Sequence, residues 1–127
     1  MDKITREELR ELSAHSRKLC VSLFMPAFRA GRETEQNSIR FKNLLKEAES
    51  RLSASGARPP EIQELLKPAR GLVDDPLFWQ RQGDGLAVFL SADYFKNFRL
   101  PLSFQESVTL ARRFHFTPLL PYFSGEG

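Results

Sequence analysis

Two kinds of apolar pattern alternate along the chain. Residues 19–25, LCVSLFM, and residues 85–91, GLAVFLS, are continuous apolar runs. Both are too short for a helix and neither alternates, which predicts central strands covered on both faces. Pro26 closes the first run, and Gly83-Asp84-Gly85 leads into the second. Between them the spacing turns helical. Phe41, Leu44, Leu45, Ala48 and Leu52 make one stripe, with Arg40, Asn43 and Glu47 on the opposite side. Ile62, Leu65, Leu66 and Ala69 make a second, opened by Pro59 or Pro60, with Pro68 expected to kink it. Ahead of the first strand, Thr5 and Glu8 form a capping box, and Ile4 with Leu9 a hydrophobic staple. Together they predict a short helix ending near Ser16.

The stretch DDPLFWQRQGDG reads as a bend, with Trp79 as a core or lid anchor. After Ser91 the pattern alternates loosely and is rich in phenylalanine: eight of the eleven lie between residues 78 and 123. Two strands are expected there, near 95–100 and 107–111, with a third piece near 113–116. Thr117-Pro118 marks the start of a last helix. The order is helix, strand, helix, helix, strand, strand, strand, helix. It predicts an α/β (α+β) fold with a mixed central sheet of about four to five strands covered by helices. The 127 residues fit a single domain, 1–127.

Composition narrows the class. About 41% apolar and 28% charged residues describe an ordinary globular chain. Its single cysteine, Cys20, lies in an apolar run and reads as a buried structural thiol. No stretch approaches the ~18 apolar residues of a membrane helix, and MDKITREEL is no signal peptide. The expectation is a cytoplasmic protein with no membrane partner.

Candidate chemistry is sparse. His15 ends the first helix, where its charge suits the dipole. His115 alternates with Phe114 and Phe116. Neither stands in a metal-ligand spacing with Cys20, and no phosphate-loop or nucleophile-elbow motif occurs. Asp74, Asp75 and Asp84 stand beside proline or glycine, as turn carboxylates do. The expectation is no enzyme, with no catalytic residue, metal or cofactor. A nuclease using His115 with Arg112 and Arg113 is the enzymatic alternative.

Charge changes the picture in one place. The net charge is only +3, yet residues 27–46 hold Arg29, Arg32, Arg40, Lys42 and Lys46 against Glu33 and Glu35, so the remainder balances to zero. These cations run from a loop containing Gly31 into a helix start capped by Asn37 or Ser38. Backbone N–H groups at such a start favour phosphate, and arginine forks suit bidentate phosphate contacts and base stacking. Arg40 in a first turn also opposes the dipole preference for acids. Arg29, Arg32, Asn37, Arg40, Lys42 and Lys46 are therefore the candidate RNA-binding residues, with Asn37 able to cap or to meet an RNA edge. A solvated surface is the competing reading.

Three stretches carry a resemblance. They are CVSLFMPAFRAGRETEQNSIRFKNLLKEAESRL, DGLAVFL and FRLPLSFQESVTLARRFHFTPLLPYFSGEG. Together, over roughly residues 18–127, they resemble the N-terminal domain of archaeo-eukaryotic class I peptide-chain release factors, in particular the divergent bacterial branch of that superfamily. The resemblance rests on order and texture: a VSL-x-x-P strand, a basic loop, a helix opening with Asn, a GLAVF strand, and F-H-x-x-P-L-L before a terminal helix. It implies that the chain is the first domain of a longer protein, whose partners are the ribosome's RNA and the missing C-terminal domains. It implies a non-catalytic ribosome-docking role in translation termination, ribosome rescue or dormancy. In familiar members an Asn-Ile-Lys-Ser motif reads the stop codon. Here Asn37 matches its asparagine, while Ser38, Ile39 and Arg40 depart from it, so the codon-reading motif is not preserved. The Gly-Gly-Gln of peptide release does not occur in the chain. The alternative role is a protein-interaction or homodimerisation module without RNA binding, in which the phenylalanine-rich half supplies the contact.

Overall fold

In the computed structural model, which describes residues 3–14 and 16–124, a four-stranded sheet lies between two helical layers. Helix α1 spans Arg6–Ala14 and strand β1 Ser16–Pro26. A 3-10 turn at Arg32–Thr34 then leads into α2 (Glu35–Ala54), α3 (Pro59–Val73) and α4 (Pro76–Gln80). Strands β2 (Gly85–Ser91), β3 (Tyr94–Leu100) and β4 (Ser107–Arg113) follow, and a 3-10 turn at Thr117–Leu119 runs into α5 (Leu120–Ser124). The sheet order is β3-β2-β1-β4. All three neighbouring pairs are antiparallel, where a mixed sheet was expected. The reason is the α2–α3 hairpin. Two helices in succession return the chain to the end of the sheet where β1 stopped, so β2 must run back against β1: Pro26 pairs with Gly85.

The two apolar runs are the two central strands, and their lack of alternation has a simple cause. Val21, Leu23, Met25, Leu86, Val88 and Leu90 meet the α2 and α3 stripes on one face. Cys20, Phe24, Ala87 and Phe89 meet Phe98, Leu100, Phe104, Phe114 and Leu119, with Ile4 and Leu12 of the N-terminal region, on the other. The stripe residues named from the sequence are all buried. The second face is an aromatic layer: the Phe89 ring lies edge-on to Phe24 at 5.7 Å and to Phe114 at 5.5 Å, as ring quadrupoles prefer.

Local signals account for most element ends. The capping box forms, with the Thr5 N–H donating to Glu8 Oε1 at 3.1 Å and the Glu8 N–H donating to Thr5 Oγ1 at 3.0 Å. Helix α3 continues through Pro68. The expected bend at DDPLFWQ contains a short helix, α4, because Asp75 Oδ1 accepts from the Phe78 N–H and Pro76 suits a first helical position. Trp79 is a core anchor. Its ring lies 5.4 Å from Phe41 of α2, and its Nε1–H donates to the Leu72 carbonyl at 2.7 Å. The 113–116 piece is the end of β4 followed by irregular chain. Cys20 is buried, and burial, with Asp93 nearby, pushes its thiol above the ordinary value. On the edge strand β4, Arg51 of α2 donates to the Val108 carbonyl at 2.6 Å while pairing with Glu47.

Candidate nucleic-acid interface

The basic segment occupies one end of the sheet, where β1 stops and β2 starts. Its backbone is fixed from two sides. The Ala27 N–H donates to the Asp84 carbonyl at 2.9 Å, and the Asp84 N–H donates to the Leu100 carbonyl at 2.8 Å. Asp84 sits between two glycines that admit no side chain: a Cβ on Gly83 would lie 2.3 Å from the Leu100 oxygen, and one on Gly85 2.0 Å from the Leu102 oxygen. Gly-Asp-Gly is therefore the only kind of sequence that lets this turn approach β3 and its following loop so closely. Farther along, Gly31 has φ +91, a region that L side chains rarely adopt, and its carbonyl accepts from both the Thr34 N–H and hydroxyl.

Asn37 closes the loop. Helix α2 begins at Glu35, two residues before the expected cap, so Asn37 lies within its first turn and Arg40, expected in that turn, lies in the second. Its Oδ1 accepts from the Phe28 N–H at 3.0 Å and its Nδ2–H donates to the Phe28 carbonyl at 2.9 Å. One carboxamide thus satisfies both backbone groups of a residue nine positions earlier, in the manner of a strand partner. Asn37 is only 2% exposed. With both polar ends engaged it is a latch, and it presents nothing to an RNA edge.

The five cations divide into two sets. Arg29 forms a side-on fork with Asp84, Nε to Oδ1 at 2.8 Å and Nη2 to Oδ2 at 3.0 Å. That hydrogen bonding holds the Asp84 carboxyl below its ordinary range and raises Arg29. Arg40 pairs through Nε with Glu106 Oε1 at 3.1 Å, on the β4 side of α2. Arg32, in the 3-10 turn, is exposed. Lys42 is two residues beyond Arg40, about 200° around the helix, and with Lys46 it lines a cleft of about 320 Å³ between α2 and α3. Glu49, Arg70 and Asp74 share that cleft, and Arg70 pairs with Glu49. Among the described residues no carboxylate lies within ion-pair distance of Arg32, Lys42 or Lys46. The sequence predicts one cationic ridge; the structure brings Arg29, Arg32 and Arg40 to the loop end and turns the lysines to another flank.

The sequence marks Asp84 only as a turn carboxylate and does not mark Glu106, so neither acid was expected to meet this segment. Asp84 and Glu106 stand in distant turns, and only the strand register, which puts Gly85 opposite Pro26 and Ser107 opposite Phe24, brings them here. Both ion pairs are open to water. Arg29 and Asp84 are each about half exposed, and so is Glu106. Water screens such pairs, so they contribute little to stability. Phe28 is exposed beside the arginines, and Ile39 and Leu77 are exposed on α2 and α4.

The enzymatic candidates are placed differently. The His115 ring packs edge-on against Phe24 at 6.2 Å, and its backbone N–H donates to the buried Ser22 hydroxyl at 2.8 Å. His15 lies outside the described residues. Among the described residues no group of three or more metal-ligating side chains converges, and no helix is long and apolar enough to cross a membrane. Set against known proteins, the chain matches no family model and no curated protein.

Proposed function

We propose that this domain docks on ribosomal RNA through the β1–α2 loop and the first two turns of α2, without catalysing a reaction itself. The observation that carries this reading is a latched loop and helix start that hold Arg29, Arg32 and Arg40 at one end of the sheet, with the exposed Phe28 next to Arg29 in the chain. Arg29, Arg32 and Arg40 suit phosphate, and Phe28 offers a face for a base. Because Asn37 and Asp84 already hold the loop's backbone, little conformational entropy remains to be lost on binding. The resemblance to release-factor N-terminal domains supports the same segment and supplies the setting: the first domain of a longer protein in termination, rescue or dormancy. In this reading Asn37 positions the loop and does not touch RNA, consistent with a helix start that departs from the codon-reading motif. The lysine pair contributes long-range attraction.

The test is co-sedimentation with purified ribosomes across a salt series. Wild-type affinity should fall steeply with salt, by about 0.7–0.9 in log K per phosphate contact for each tenfold rise. The variant carrying Arg29→Ala, Arg32→Ala, Arg40→Ala and Lys42→Ala should lose most of both affinity and slope. Undiminished sedimentation of that variant would remove the proposal.

A second reading, a protein-interaction or dimerisation module, is favoured by Ile39 and Leu77, which are 59% and 71% exposed. A concentration-dependent dimer lost on Ile39→Ser and Leu77→Ser, with no RNA affinity at low salt, would replace the first.

A further inference from the structure

We infer that Asp84 and Glu106 are internal stand-ins for phosphate: the guanidinium groups of Arg29 and Arg40 form two anion subsites, which RNA fills by displacing these carboxylates. The inference rests on the docking reading above and specifies how that surface is loaded and held in check.

The geometry at Arg29 is the first support. A carboxylate and a phosphodiester each present two oxygens of one anionic group, and the arginine fork accepts either in the same side-on manner. Asp84 takes that pose with both oxygens, 2.8 and 3.0 Å from Nε and Nη2. Glu106 engages Arg40 through the corresponding Nε at 3.1 Å. Each guanidinium thus already engages an anion in the pose a phosphate would take.

Convergence is the second. Asp84 comes from the turn before β2, and Glu106 from the connection between β3 and β4. These unrelated segments each deliver one carboxylate to an arginine of the same basic stretch, at the same end of the sheet. Arg32 has no such partner among the described residues, so the surface keeps one unmasked cation for first encounter.

Exchangeability is the third. The Asp84 backbone is tied to Ala27 and Leu100, and its glycine neighbours leave no room to shift. Its carboxylate therefore has only a short side-chain rotation with which to follow a departing guanidinium, whereas Arg29 is long and half exposed. Both pairs are open to water, with Arg40 the least exposed of the four groups at 29%, so exchange can proceed through side-chain movement. A masked site of this kind binds non-specific polyanions weakly, and it rewards a ligand that offers two phosphates at the right separation.

The test is fluorescence anisotropy with a labelled ribosomal RNA fragment, on Asp84→Asn, Glu106→Gln and the double variant. Each single change should tighten binding by about two- to fivefold. The control is Glu61→Gln with Glu64→Gln, which adds the same charge near the start of α3, at the opposite end of the sheet. In an Arg29→Ala background, Asp84→Asn should do no more than the general charge effect that the control reports. Circular dichroism melts would establish that each variant is folded. A double variant no tighter than the charge-matched control, with wild type binding RNA normally, overturns the stand-in role and leaves docking intact. Absence of binding by wild type and by every variant overturns both.

Discussion

The arginines and the lysines of residues 27–46 are neighbours in sequence and differ in almost everything else. Arg29 and Arg40 lie in forks or pairs with carboxylates brought from distant turns, at the end of the sheet where the backbone is latched. Lys42 and Lys46 stand on the α2–α3 flank with no ion-pair partner among the described residues. The first set is geometrically defined and electrostatically masked; the second is unmasked and held by nothing. Defined geometry suits specific contact, and open charge suits steering. A count of positive residues cannot separate these roles.

The difference can be attacked at several points. The largest effect should come from Gly85→Ala, whose Cβ would strike the Leu102 carbonyl and the Phe104 ring. It disturbs the turn that holds Asp84 and the connection that holds Glu106 together. A loss of about 3 kcal/mol in urea unfolding is expected. Next comes Asn37→Ala, which strips both partners from the Phe28 backbone. It should cost about 2 kcal/mol and speed amide exchange at Phe28, while exchange in α3 stays unchanged.

Separating the cations sharpens the functional side. Removing Arg29, Arg32 and Arg40 together should lower the RNA salt slope by about two units or slightly more, and removing Lys42 and Lys46 by less than one. The reverse order would move the interface to the α2–α3 cleft. The smallest effect concerns acid. Asp84 is held below its ordinary value of 3.8, so its pairing contributes stability above that pH, and the contribution disappears as pH falls through the lower native value. Proton resonances of the Arg29 guanidinium should report this release below about pH 4, with the lysine ammonium signals unmoved.

Much of the scaffold was legible beforehand. Continuous runs gave β1 and β2, and 3.6-residue stripes gave the buried faces of α2 and α3, because each pattern reflects how many sides of an element are covered. Helix α4 was read as a bend: five residues are too few to show a period, and only the Asp75 cap betrays it. The antiparallel order was hidden because nothing in an apolar run records which way its neighbour points. The site was half legible. The arginines and Asn37 were visible, but the rotation between Arg40 and Lys42 and the carboxylates of Asp84 and Glu106 depend on the assembled sheet. Asn37 was expected at a helix cap or an RNA edge. Its commitment to Phe28 required a helix that starts two residues early.

One contact near the other end of α2 bears on how the sheet's edge is guarded. Strand β4 is an open border of the sheet, where another chain could add itself as a fifth strand. Arg51 already occupies the Val108 carbonyl there, so a newcomer would have to evict a guanidinium before its first amide could bond. Replacing Arg51 with leucine would leave that carbonyl bare beside an apolar side chain, and the first symptom should be aggregation on concentration, well before any loss of fold.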